Sequence, residues 1–190
     1  PARPAVDLVL AVPRPKMLRR LLPQVVALGI GHLVLLRTWR VAKPYLEATV
    51  LDAAELRALV HEGLMQARCT RAPEIVLEPL FRPFAEDRAP GLFAGARALV
   101  LHPTAARTLA AERPAAGERV VLVVGPEGGL LPFEVERLEA AGATAVSMGG
   151  RVLRVDTACV AALAQVAVLR GLPPGEESGG GAPRCGKLTP

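Results

Sequence analysis

Aromatic side chains are scarce in this chain, with one Trp, one Tyr and four Phe among 190 residues. Ala, Leu and Val must therefore fill the interior. With 18 Gly and 18 Pro as punctuation, that composition favours helices packed on a sheet over a β-sandwich. Lysine is rarer still, confined to Lys16, Lys43 and Lys187, so arginine carries almost all of the +5 net charge. A basic balance is compatible with a polyanionic partner such as RNA, and equally with none. Cys69, Cys159 and Cys185 are odd in number, widely spaced and without a CxxC pair, which argues against structural zinc and a disulfide framework. They fit small thiols in a reducing cytoplasm, the expected location. His32, His61 and His102 have no partners at ligand spacing, so no metal is expected. No apolar run is long enough to span a bilayer, and PARPAVDLVLAV lacks the basic-then-apolar order of a signal peptide.

What is present is 51% hydrophobic, enough for the core of one compact domain. The expected division is a domain over residues 1–172 and a flexible tail over 173–190, where PPGEESGGGAPRCGKLTP is polar and glycine-rich. Strands are expected at Val6–Val12, His32–Arg37, Glu74–Leu77, Arg97–Leu101, Arg119–Val124 and Ala143–Met148. The fully apolar RVVLVV has the pattern of a strand buried on both faces of a parallel sheet. Helices are expected at Pro15–Leu28, kinked or split by Pro23, and at Asp52–Arg68, with Asp52 as N-cap and Glu55 close to a capping box. Two more follow: one after Pro132 with Glu134, Glu136, Arg137 and Glu139 off its apolar face, and Thr157–Arg170 capped by Asp156. FRPFAEDRAPG, from Phe81 to Gly91, reads as a proline-broken ordered loop. The alternation of strand and helix implies a mainly parallel sheet covered by helices, in which ligands bind at the carboxyl ends of strands.

Three stretches sit at such ends: Leu101-His102-Pro103, Gly125–Gly129 and Met148–Arg154. The turn Gly125-Pro126-Glu127-Gly128-Gly129 is neither a P-loop nor a dinucleotide fingerprint, since the spacing and the lysine are missing. Glu127 would repel a phosphate, so the turn suits a hydroxyl or amine donor, or a cationic ligand such as S-adenosylmethionine. A tight turn for helix packing is the plainer account. Arg151 and Arg154, three apart in a loop, fit phosphate or base contact through their planar guanidinium forks, or simply a solvated surface. Near the start, Arg14, Lys16, Arg19 and Arg20, then Arg37 and Arg40 with Trp39 and Tyr45, form either a clamp for single-stranded RNA or a charged face.

Taken together, LVVGPEGGLLPFEVERLEAAGATAVSMGGRVLRVDTACVAALA is similar to the knotted C-terminal region of the RsmE family, SPOUT-class (α/β-knot) methyltransferases. Upstream, AVPRPKMLRRLLPQVVALGIGHLVLLRTWRV and GLMQARCTRAPEIVLEPLFRPFAEDRAP also resemble that family, so the similarity spans about residues 6–172. The resemblance implies a deep trefoil knot over about residues 97–172 and a homodimer. It also implies S-adenosylmethionine-dependent methylation of a uridine N3 in 16S rRNA or the small ribosomal subunit. The implied cofactor pocket is Leu101 and His102, then Gly125, Pro126, Glu127 and Gly128, then Met148, Gly149, Val152, Leu153 and Arg154. Arg151 or Arg154 is the implied catalytic cation, with no general base assigned. Arg14, Lys16, Arg19, Arg37, Arg40 and Arg68 are the expected RNA contacts. The family normally carries an N-terminal PUA-like RNA-binding barrel, which this chain is expected to lack. LMQARCT stands where relatives carry LEQARDT, AKPYL where they carry EKSYW, and GGL where they carry GGF. Alternative readings are a SPOUT enzyme for another RNA, a non-catalytic dimeric RNA-binding or assembly protein, and a plain nucleotide-binding α/β domain.

Overall fold

Six parallel strands make one sheet in the order β3-β2-β1-β5-β4-β6. The computed structural model describes residues 4–115 and 117–171, so the expected tail lies outside the described residues. In chain order the elements begin with β1 (Val6–Ala11), α1 (Pro15–Ala27), β2 (His32–Leu36), α2 (Ala53–Ala67) and β3 (Glu74–Glu78). There follow α3 (Phe81–Pro83), a π-helical turn (Phe84–Arg88), α4 (Ala89–Phe93), β4 (Ala96–Leu101), β5 (Arg119–Val124), α5 (Pro132–Ala140), β6 (Thr144–Val146) and α6 (Val155–Leu169).

The four inner strands β1, β2, β4 and β5 each serve two cores, because successive side chains point to opposite faces. Leu8, Leu10, Leu33, Leu35, Val120, Leu122 and Val124 pack with α1, α2 and α6. Val9, Val34, Ala98, Val100, Val121 and Val123 pack with the segment 84–93 and with Leu130 and Leu138. The unbroken apolar run of β5 is thus alternation with both faces covered. Removing each such Leu or Val from water contributes about 1.5–3 kcal/mol. One charge breaks the pattern: Asp7, 1% exposed, pairs with Arg119 Nε at 2.8 Å, and Arg119 also donates to the Leu92 carbonyl at 2.6 Å.

Several expectations change. α1 runs unbroken through Pro23, and α2 lies so close that a Cβ on Gly63 would meet the Pro23 carbonyl at 2.5 Å. The segment 81–93 is helical rather than a loop. A π turn lets Ala89 N–H reach the Phe84 carbonyl, after which Pro90, which has no N–H, sits harmlessly in the first turn of α4. Asp52 occupies the N-cap of α2 without a side-chain hydrogen bond, and Glu55 instead accepts from Arg19 Nε at 2.8 Å. α6 starts earlier than expected, with Arg154 as N-cap, and Asp156 lies in its first turn.

Glu134 is the clearest departure. Placed by periodicity on a polar face of α5, it is fully buried. Its carboxylate accepts from Trp39 N–H at 2.8 Å and reaches back to Leu131 N–H at 2.8 Å, half of a capping box, within the favourable field of the helix N-terminus. It thereby ties the loop after β2 to the loop after β5. Replacing Glu134 with Ala leaves two partly buried donors unmade, and urea denaturation is expected to show a loss of about 2–4 kcal/mol. A loss under about 0.5 kcal/mol, the range of ordinary surface changes, would remove the carboxylate from the structural account.

On α6, burial first and Asp156 second push the Cys159 thiol up to about 12. The raised value means that the neutral thiol belongs to the folded state. Its contribution is intact below the unfolded value of about 8.5 and is lost as pH climbs toward the folded one. At about pH 8, iodoacetamide is expected to label the half-buried Cys69 and spare Cys159 until denaturant is added. Peptide mass spectrometry reads this directly, and rapid native labelling of Cys159 would contradict the packing of α6.

Candidate cofactor and RNA site

Chain order reverses across the sheet between β1 and β5, and the carboxyl ends of β1, β5, β4 and β6 lie side by side there. A cavity of about 880 Å³ opens above them. Its walls come from four consecutive positions in the sheet. Arg14, Lys16, Met17 and Arg20 arrive from the start of α1, and Leu101, His102 and Pro103 from the end of β4. Val124 to Glu127, with Gly129 and Leu130, follow β5; Met148, Gly149 and Arg151 to Val155 follow β6, with Ala158 from α6. This is the place where open parallel sheets bind ligands, and the volume falls within the usual range for small-molecule pockets.

The loop between β4 and β5 holds the third wall in position. Ser147 N–H donates to the Arg107 carbonyl at 2.8 Å, and Leu109 N–H donates to the Ser147 carbonyl at 2.8 Å. Glu112, 3% exposed, accepts from Arg107 Nη2 at 2.7 Å and Arg97 Nη1 at 3.2 Å, which braces the loop against the foot of β4. Ala115 N–H, and then the Arg97 guanidinium, hold the Glu118 carboxyl below its ordinary range. His102 N–H continues the pairing of β4 to the Val146 carbonyl at 2.9 Å, and its Nδ1 stands 3.1 Å from Thr104 Oγ1.

Nine of the ten expected pocket positions in the three strand-end loops other than Arg154 line this cavity: Leu101, His102, Gly125, Pro126, Glu127, Met148, Gly149, Val152 and Leu153. Arg154 and Arg151 line it too. Gly128 does not, because its carbonyl accepts from Arg40 Nη1 and a Cβ there would meet Arg40 Cδ at 3.0 Å. The turn is tight where it faces the cavity: a Cβ on Gly125 would lie 3.0 Å from Leu130 Cγ and 3.2 Å from Leu130 N. Glu127 Oε1 accepts from Arg14 N–H at 3.1 Å, which ties this turn to the start of α1.

The cations differ in what holds them. Asp156 takes Arg20 Nη2 at 3.0 Å and stands 3.6 Å from Arg154 Nε. Arg151, exposed at the rim, has no carboxylate partner among the described residues. Of the expected RNA contacts, Arg14 and Lys16 line the cavity, whereas Arg19 is held by Glu55 and Thr49. Arg40 lies on the glycine turn, Arg37 is half-buried beside β3, and Arg68 is the left-handed C-cap of α2 at φ 50°. Arg37 and Arg68 lie outside the cavity. Sequence reasoning left Arg20 and Met17 out of the pocket, although Lys16 and Arg20 are four apart on one helix face. Among the described residues there is no cluster of three or more His, Cys, Asp or Glu that could hold a metal ion. Nor is any helix of those residues long and apolar enough to cross a membrane.

Comparison with known proteins shows the family and the fold. Residues 1–167 match the RNA methyltransferase domain family. Ribosomal RNA small subunit methyltransferase E of Mycobacterium bovis is 41% identical over 117 residues, covering 60% of this chain and 43% of that protein. Its counterpart in Treponema pallidum is 32% identical over 162 residues, covering 85% of this chain and 61% of that protein. The chain thus spans about half the length of the curated relatives it matches. Among solved structures, ribosomal RNA small subunit methyltransferase E from Neisseria gonorrhoeae, crystallised with S-adenosyl methionine, superposes with a TM-score of 0.75 at 22% identity. That match covers 86% of this chain and 65% of that one, and it shows a shared fold. With the match extending over nearly every described residue, this chain belongs to the RNA methyltransferase domain family.

Proposed function

We propose that this domain methylates the N3 of a uridine in 16S ribosomal RNA, using S-adenosylmethionine held in the cavity above β5, β4 and β6. One observation carries the reading: three loops far apart in sequence, after β4, β5 and β6, wall a single cavity in a chain of the RNA methyltransferase domain family. The curated relatives named as small-subunit rRNA methyltransferases support the substrate class.

The wall chemistry fits such a cofactor. Leu101, Leu130, Met148, Leu153 and Val155 offer an apolar lining for a purine ring, while Glu127 offers an acceptor for hydroxyls and a negative charge for a cation. When bound, S-adenosylmethionine supplies a methyl group on a sulfonium, whose transfer leaves a neutral thioether. Uridine N3 forms the new N–C bond and gives its proton to solvent, so the residues around it must favour the anion. Arg151, the rim guanidinium without a carboxylate partner among the described residues, stabilises that anion; Arg154, near Asp156, positions the loop. Alignment of the two reactants supplies much of the remaining rate.

The bridge between Thr108 and Ser147 supports a knot, in which the chain after β6 passes through the loop joining β4 to β5. A homodimer in the cytoplasm, acting on the small ribosomal subunit, completes the proposal.

Titration calorimetry with S-adenosylhomocysteine is the direct test. About one molecule per chain is expected to bind. Gly125→Val, which drives Leu130 out of place, should weaken binding more than tenfold, a change worth about 1.4 kcal/mol or more. Gly128→Ala, which meets only the Arg40 side chain, should leave it nearly unchanged. Absence of heat from a folded wild-type protein would sink the proposal. Arg151→Ala should keep cofactor affinity and lose about 10²–10³-fold in methyl transfer to small subunits, read as 3-methyluridine by mass spectrometry. Full turnover in that variant would remove Arg151 from catalysis.

A further inference from the structure

Four of the chain's six aromatic residues lie wholly or partly in the interior: Phe84 and Phe93 are buried, Tyr45 packs against the core below α1, and Phe81 packs against the opposite core. The other two are exposed, Trp39 at 76% and Phe133 at 45%, and they touch each other. Their centroids are 6.4 Å apart at 85°, and Phe133 in turn meets Phe81 edge-on at 6.1 Å and 89°. Edge contact of this kind fixes a ring while leaving faces open. The backbone is fixed as well, since Trp39 N–H is held by the buried Glu134 and Phe133 is the neighbouring residue of the same helix. An exposed, anchored pair of rings is an expensive arrangement for solvent alone.

The charged residues flanking Trp39 in the chain, from residue 37 to residue 43, are all basic. Arg37, Arg40 and Lys43 flank Trp39 in the chain, and none has an ion-pair partner among the described residues. Arg40 bridges to the Gly128 carbonyl, one residue from Gly129 in the cavity wall, so the loop that carries Trp39 abuts the loop that walls the pocket. Basic residues without carboxylate partners among the described residues, close in the chain to an open indole, match a base stacked on the ring and phosphates beside it.

We propose that Trp39 and Phe133 form a stacking platform for an unpaired RNA base next to the target uridine, with Arg40 and Arg37 holding its phosphates. The inference rests on the RNA methyltransferase reading and assigns the platform to substrate, apart from the cofactor cavity. Tyr45 takes no part, because its ring is committed to the core.

Trp39 is the only tryptophan, so its fluorescence reports the platform without labelling. Titrating the protein with a short single-stranded oligouridylate should quench that emission saturably, and an RNA hairpin of the same length without a loop tract should do so far less. Trp39→Ala should weaken oligouridylate binding roughly tenfold by anisotropy, from the loss of one stacked base, while Trp39→Phe restores most of it. Because the ring is exposed, Trp39→Ala folds and should bind S-adenosylhomocysteine as before. Oligouridylate that binds Trp39→Ala as tightly as wild type overturns the proposal. So does a Trp39→Ala protein that changes oligomeric state with RNA affinity unaltered, since the rings would then belong to an interface between copies. If wild type shows the quenching yet never binds S-adenosylhomocysteine, the platform stands and the methyltransferase reading falls.

Discussion

β4 lies between β5 and β6, although β5 follows it in the chain and β6 follows β5. The site depends on that placement. With all three strands parallel, their carboxyl ends emerge together, and the loops after them have nowhere to go but around one space. The chain just after β6 also meets the loop between β4 and β5. Their backbone groups pair there through Ser147, Arg107 and Leu109. Buried Glu112, gripped by two arginines, keeps that loop from giving way. A buried carboxylate with two guanidinium partners is costly to break, because removing either partner strands a charge away from water.

A second buried carboxylate sets the other side of the rim. Glu134 holds Trp39 and the start of α5 together, and Arg40 then lies against Gly128. The loop after β2 is thus a fixed outer lip of the glycine turn, although it contributes no residue to the cavity. Glu127 does similar work inward, joining the turn to the start of α1 through Arg14 N–H. The glycine turn is held from three sides: by Arg14 through Glu127, by Arg40 through Gly128, and by Leu130 packed against Gly125. Its shape is a property of the assembled sheet, and the glycines allow the approach.

The division of cations follows from the same contacts. Arg19, Arg20 and Arg154 are engaged by carboxylates, while Arg151, Arg37 and Lys43 have no carboxylate partner among the described residues. An arginine already matched to a carboxylate fork has given up part of its capacity to meet a second anion, whereas an unmatched one on the surface retains it. Charge counted along the chain treats these groups alike, and only their partners separate them.

Much of this was legible in the residues. RVVLVV announces a strand covered on both faces, because a parallel strand has no wet side, and Pro132, Gly29 and Gly142 mark helix ends by what their backbones permit. The strand-end loops were found because a glycine cluster between a strand and a helix is rarely idle. What the chain alone could not decide was contact between distant segments. Helical periodicity puts Glu134 on a polar face, and only the arrival of Trp39 N–H from residues 95 positions away makes its burial favourable. Two prolines in FRPFAEDRAPG argue for a loop until a π turn spaces them so that neither missing N–H is needed. Gly128 reads as a pocket glycine until Arg40 occupies the space beside it. Local propensity and alternation are set by neighbours in sequence, so the sequence determined strands, helices and the glycine turn. Burial of charge, the partners of each arginine and the strand order depend on which segments meet, and tertiary structure alone decided those.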